Sequence, residues 1–116
     1  MSDQFGLSAI EQKKLREILN TAGEQIERVA VFGSRATGRY RPNSDLDLVL
    51  YGNTDEAVCD RLWTALQESS LPFSVDIVSY AAITNPALRA HIDLVARTLF
   101  VRIETGLTTL DEHGNE

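Results

Sequence analysis

This chain has one cysteine, Cys59, so no disulfide can form within it. A single thiol also excludes a zinc site built on several cysteines. The two histidines, His91 and His113, lie far apart, and neither has a Cys or His partner at metal-ligand or triad spacing. No apolar run approaches membrane-spanning length. The N-terminus lacks a basic segment followed by an apolar one, so no signal peptide is expected and the cytoplasm is the expected compartment. Basic residues are in the minority: 11 Lys and Arg face 17 Asp and Glu, a net charge of -6. That balance argues against non-specific duplex nucleic-acid binding, which needs phosphate neutralisation. Internal repeats, low-complexity stretches and linkers are absent as well.

What is present is ordinary globular composition, 43% hydrophobic and 24% charged over 116 residues. One domain over 1–116 is expected, with its core at about 8–103 and a polar, frayed tail after Gly106. Its core is modest. A partner chain or a second copy could cover leftover apolar surface.

Ser8-Ala9-Ile10-Glu11 reads as a capping box. Ile10, Leu15, Ile18, Leu19 and Ala22 follow at helical spacing, and Gly23 can end that helix. Residues 27–32 form a first strand, stopped by Gly33. A polar loop or short helix runs to Ser44. Residues 46–51 form a second strand. Asn53, with Glu56 three places on, opens a helix whose buried face carries Val58, Leu62, Trp63 and Leu66. Residues 73–80 make a third strand. Asn85-Pro86 starts another helix. Residues 98–102 suit a helix extension or an edge strand. This alternation predicts an α/β (α+β) fold, with helices packed on a small mixed sheet.

The chemistry concentrates in "VAVFGSRATGRYRPNSDLDLVLY", residues 29–51. Asp45 and Asp47 alternate at a strand start, so they project from one face and repel each other. A divalent cation relieves that repulsion. Mg²⁺ takes one or two carboxylates together with substrate phosphates. Asp76 sits inside the apolar run "SVDIVS" and would join the pair if its strand lies beside the second. The Gly33-Ser34 turn lets the backbone approach a phosphate, with the Ser34 hydroxyl as a further donor. Arg35, Arg39 and Arg41 could neutralise a triphosphate tail, with Arg35 first for its place beside the turn. In the bland reading the turn merely ends a strand and Ser44-Asp45 caps a loop. Trp63 and Tyr80 are read as core or half-buried aromatics, Cys59 as a small buried helix residue, and His91 as structural.

Gly33-Ser34, ten intervening residues, then Asp45-Leu46-Asp47 resembles the signature of the minimal nucleotidyltransferases of the DNA polymerase β-like superfamily. The resemblance spans roughly residues 8–103. It implies nucleotide binding by Gly33 and Ser34, and Arg35 and Ser44 are the further candidates for that role. It implies catalysis and metal binding by Asp45, Asp47 and Asp76, with two Mg²⁺ ions and an NTP, ATP first. Small members of that family act as antitoxins of HEPN-domain proteins, and some transfer AMP to the partner. The resemblance therefore implies transfer of a nucleoside monophosphate to a protein or RNA hydroxyl. A non-catalytic module that neutralises a HEPN partner by docking is the alternative.

Overall fold

The computed structural model describes residues 5–109. Helix α1 spans Ala9–Leu19 and β1 spans Ile26–Phe32. The four-residue helix α2, Ser34–Thr37, leads to β2, Leu46–Gly52. Helix α3 is Glu56–Gln67, β3 is Val75–Ser79 and α4 is Pro86–Val95. Strands β4, Arg97–Ile103, and β5, Gly106–Thr109, complete the described chain. The five strands form one mixed sheet in the order β3-β2-β1-β4-β5. The β2/β3 pair is parallel, with α3 as the crossover; the other pairs are antiparallel. The α/β fold expected from the alternation of elements is the observed one.

Period-two alternation sorts the strands onto two faces. Val29 and Val31 of β1 and Leu46, Leu48 and Leu50 of β2 point to one side. There they meet Leu15 and Leu19 of α1 and Val58, Leu62 and Leu66 of α3. Ala30 and Val49 point to the other side and meet Ile92 of α4. Each fully buried Leu or Val contributes about 1.5–3 kcal/mol of burial free energy. Asp47, between Leu46 and Leu48, therefore belongs to the α4 face.

The capping box forms as read: Glu11 N donates to Ser8 Oγ at 3.1 Å and Ser8 N to Glu11 Oε1 at 3.0 Å. Asn85 accepts from the Ala87 and Leu88 amides, with Pro86 behind it. Several expectations are corrected. Helix α1 ends at Leu19, and a 3-10 turn, Asn20–Gln25, carries the chain to β1. The N-cap of α3 is Asp55, whose carboxylate accepts from Val58 N at 3.0 Å, while the Asn53 amide donates to Gln25 O. Residues 98–102 are strand, because β4 pairs with both β1 and β5. Residues 107–109, expected to begin a frayed tail, belong to β5, and the rest of that expected tail lies outside the described residues. Leu107 is buried, and its amide donates to Asn20 Oδ1 at 3.0 Å. His113 lies outside the described residues. Trp63 is 47% exposed, on the outer side of α3, and His91 is exposed too. Cys59 and Tyr80 are half-buried.

Candidate active site

Gly33 ends β1 with φ 76° and ψ -154°, a conformation essentially reserved for glycine. The turn closes at once, because the Ala36 and Thr37 amides donate to Gly33 O at 3.1 and 3.3 Å. Glycine is needed here for a second reason. A Cβ at Gly33 would fall far inside van der Waals contact of Asp47 Oδ2. The missing side chain thus lets the Asp47 carboxylate rest against the turn. Helix α2 has four residues, too short for its dipole to carry an argument about phosphate.

The aspartates arrive through strand register. Phe32 pairs with Asp47 across β1/β2, which sets Asp47 beside the end of β1. Asp47 in turn pairs with Asp76 across β2/β3. The conditional placement of Asp76 is thereby met: its strand does lie beside the second. Asp45 precedes β2 by one residue and is exposed, Asp47 is half-buried, and Asp76 is exposed on the edge strand. Burial, then the charges of Asp76 and Asp45, pushes the Asp47 carboxyl above the usual carboxylate range. Negative charge is accumulated here at a free-energy cost.

That cost is an observation with which a cation can be tested. The donors are carboxylate oxygens, the ligand type Mg²⁺ prefers. Among the described residues no three acidic, His or Cys side chains stand together as a ready-made metal cluster. Mg²⁺ commonly keeps several waters and binds through one or two carboxylates plus substrate phosphates. A pair that includes Asp47 fits that pattern.

Arg35 requires a correction. It is 1% exposed, and its guanidinium is spent on main-chain carbonyls. Nη1 donates to Phe5 O at 2.9 Å. Nη2 donates to Pro42 O at 3.0 Å and Ser44 O at 2.9 Å, and Nε also reaches Ser44 O, at 3.2 Å. Its Cζ lies 4.6 Å from the Phe73 ring centroid and 5.3 Å from that of Tyr40. Desolvation lowers its pKa, opposed by the charges of Tyr40, Glu11 and Asp45. Arg35 braces the loop between the turn and Asp45 from behind instead of offering its donors to phosphate. The sequence could not announce this, because Phe5 and Phe73 are remote along the chain. Ser44 serves the same loop: its hydroxyl accepts from Arg41 N at 2.8 Å and its amide donates to Arg41 O at 2.9 Å. Arg39 and Arg41 are exposed on that loop.

A groove of about 570 Å³ runs along the outer edge of β3, walled by Ile77, Val78, Ile83 and Leu88. None of the three aspartates lines it. The chemistry is marked by strand register, not by cavity volume.

Residues 13–105 match the family described as "Polymerase beta, Nucleotidyltransferase". A Haemophilus influenzae protein named "Probable protein adenylyltransferase MntA" is 42% identical over 55 residues, covering 46% of this chain and 48% of that protein. The matched stretch thus spans about half the length of that relative. A crystal structure of a toxin-antitoxin with AMP-PNP superposes with TM-score 0.65 at 21% identity, covering 81% of this chain and 76% of the other. One of the toxin-antitoxin MntA-HepT does so with TM-score 0.58 at 18% identity, covering 78% and 70%. At those identities the likeness establishes a shared fold. The resemblance to minimal nucleotidyltransferases read from Gly33-Ser34 and Asp45-Leu46-Asp47 agrees with the family match and with the name of the relative. With its sheet, its Gly-Ser turn and a match covering most of its length, the chain belongs to the polymerase beta nucleotidyltransferase family.

Proposed function

We propose that this protein is a Mg²⁺-dependent nucleotidyltransferase that moves a nucleoside monophosphate, AMP first, from an NTP to a hydroxyl of a protein partner. The observation that carries the reading is the contact between turn and carboxylate: Gly33 makes room for Asp47, and Asp47 is in register with Asp76. In this reading Gly33 and Ser34 receive the phosphates, and Asp45 and Asp47 are the residues that would hold Mg²⁺. Asp76 comes from the neighbouring strand and takes the acceptor side, holding metal or receiving the hydroxyl proton. Bound Mg²⁺ would supply charge neutralisation at the phosphates and a lowered pKa for the attacking hydroxyl. Arg35 and Ser44 hold the loop that sets the spacing between turn and aspartates.

The relative named as a protein adenylyltransferase supports AMP and a protein acceptor. The fold shared with toxin-antitoxin complexes supports an antitoxin that works with a helical HEPN-type partner. Among the described residues no helix is long and apolar enough to cross a membrane. The test is co-expression with the neighbouring gene product, then incubation of the complex with α-³²P-ATP and Mg²⁺. Label on the partner is the expected result. A complex that forms but never takes label would leave docking as the function and overturn the transferase reading.

A further inference from the structure

Far along the sheet from the aspartates lies a second arrangement of reactive groups, which the proposed function does not use. Tyr80 follows β3 directly. Its Oη donates to Asp93 Oδ1 of α4 at 2.7 Å, in an exposed position. The ring has an aromatic and a cationic neighbour. Tyr51 stacks on one side, with centroids 4.9 Å apart and planes at 30°. The Arg89 guanidinium lies on the ring at 4.1 Å from its centroid. Arg89 is itself fixed, because Nη1 donates to Tyr80 O at 3.3 Å and Ile83 O at 3.2 Å. Arg28 lies on the Tyr51 ring, with Cζ 3.8 Å from its centroid.

An oriented hydroxyl, a carboxylate in hydrogen-bond reach and a neighbouring cation are the parts of an activated nucleophile. We propose that Tyr80 is a nucleotide acceptor on this chain, modified by the active site of a second copy. The inference rests on the transferase reading given above. In the step, Tyr80 Oη bonds to the α-phosphorus of the NTP as the bond from that phosphorus to the pyrophosphate oxygen breaks. Asp93 takes the phenolic proton and later yields it to water; pyrophosphate leaves. The product is a tyrosyl nucleoside monophosphate whose single negative charge lies beside Arg89. The Asp93 hydrogen bond, more than burial, pushes the phenol pKa up. The hydroxyl therefore stays protonated at neutral pH and needs a base as it attacks, which is the place Asp93 fills.

Distance assigns the donor site to another copy. Tyr80 stands four residues beyond Asp76, about 13 Å along an extended strand at about 3.3 Å per residue. A phosphate held at Asp47 and Asp76 of the same chain lies toward the other end of β3 from Tyr80. The bland alternative is that the Tyr80–Asp93 bond only fastens α4 to the sheet.

Purified full-length protein is incubated with α-³²P-ATP and Mg²⁺, then mapped by peptide mass. One added nucleoside monophosphate on Tyr80 is expected. Tyr80→Phe keeps the stacked ring and should bind Mg²⁺-ATP as wild type does, yet lose the label. Asp93→Asn should slow labelling about a hundredfold, the scale of one lost general base. Asp47→Asn, mixed with wild type, should take label from it. Calorimetric ATP binding without label on Tyr80, or label on another residue, overturns the inference and leaves the nucleotide site standing. Label confined to the wild-type chain of the mixture overturns transfer between copies. Absence of ATP binding overturns this inference and the transferase reading together.

Discussion

Substituting Gly33 by alanine tests how the turn and Asp47 depend on each other, and Gly38 supplies the control. Both glycines have positive φ, 76° at Gly33 and 82° at Gly38. Gly38 sits in the left-handed region with ψ 7°, and nothing lies within 4 Å of where its Cβ would be. Gly38→Ala should therefore cost only left-handed backbone strain, about 1–2 kcal/mol. Gly33 is at ψ -154°, where non-glycine residues are nearly unknown, so strain alone approaches about 3 kcal/mol. Its added methyl must also displace Asp47 Oδ2. A loss of about 1 kcal/mol lowers Tm by about 4–8 °C in a domain near this size. Differential scanning fluorimetry should show a clearly larger drop for Gly33→Ala than for Gly38→Ala. Calorimetry should show Mg²⁺-ATP affinity reduced by about tenfold or more for Gly33→Ala, about 1.4 kcal/mol, and almost unchanged for Gly38→Ala. Equal losses of affinity in the two variants would refute the reasoning, because backbone strain would then explain everything and the Asp47 contact nothing.

The remaining predictions concern the carboxylates and the buried arginine. Asp76→Asn should abolish label transfer while leaving Mg²⁺-ATP binding nearly intact, and Asp47→Asn should weaken both; wild-type transfer by Asp76→Asn would remove Asp76 from the chemistry. In metal-free buffer Asp47→Asn should raise Tm at neutral pH. The folded-state pKa of Asp47 is raised, so the wild type is favoured below the unfolded aspartate pKa and loses that contribution as pH rises through the folded value. The advantage of the Asn variant should vanish in acid, and an advantage that grows there would contradict the assigned repulsion. Arg35→Met removes the charged donor of three part-buried hydrogen bonds, to the Phe5, Pro42 and Ser44 carbonyls, at about 1 kcal/mol or more each. Urea denaturation should show a loss of at least about 3 kcal/mol, and Arg35→Lys should recover only part of it, since an ammonium cannot span Phe5, Pro42 and Ser44 as the planar fork does.

Elements whose signals are local were legible in the sequence. The Ser8–Glu11 box, the Asn85-Pro86 start and the alternation in β2 each depend on residues within one turn or strand. The α/β order followed from them. Less legible were features decided by distant partners. Strand β5 has one buried leucine in four residues, and it exists because β4 and Asn20 receive it. Asn53 and Asp55 are both good caps. The choice between them fell to Gln25, whose carbonyl takes the Asn53 amide. At the site, the alternate placing of Asp45 and Asp47 is read from the sequence, although Asp45 lies one residue before β2, whereas the pairing of Asp47 with Asp76 needs the parallel register. Arg35 was misjudged because a lone arginine beside a turn looks solvent-facing. Its aromatic and carbonyl surroundings come from residues 5, 40, 42, 44 and 73.

The central claim is that the Gly33-Ser34 turn and the aspartates form one Mg²⁺-nucleotide site. Isothermal calorimetry of ATP, with and without Mg²⁺, tests it most directly, run on the wild type and on Asp47→Asn. Wild type should give a heat of binding that requires Mg²⁺, and Asp47→Asn should bind about tenfold or more weakly. Binding of equal strength in both proteins, or no heat with any of the four NTPs, would contradict it.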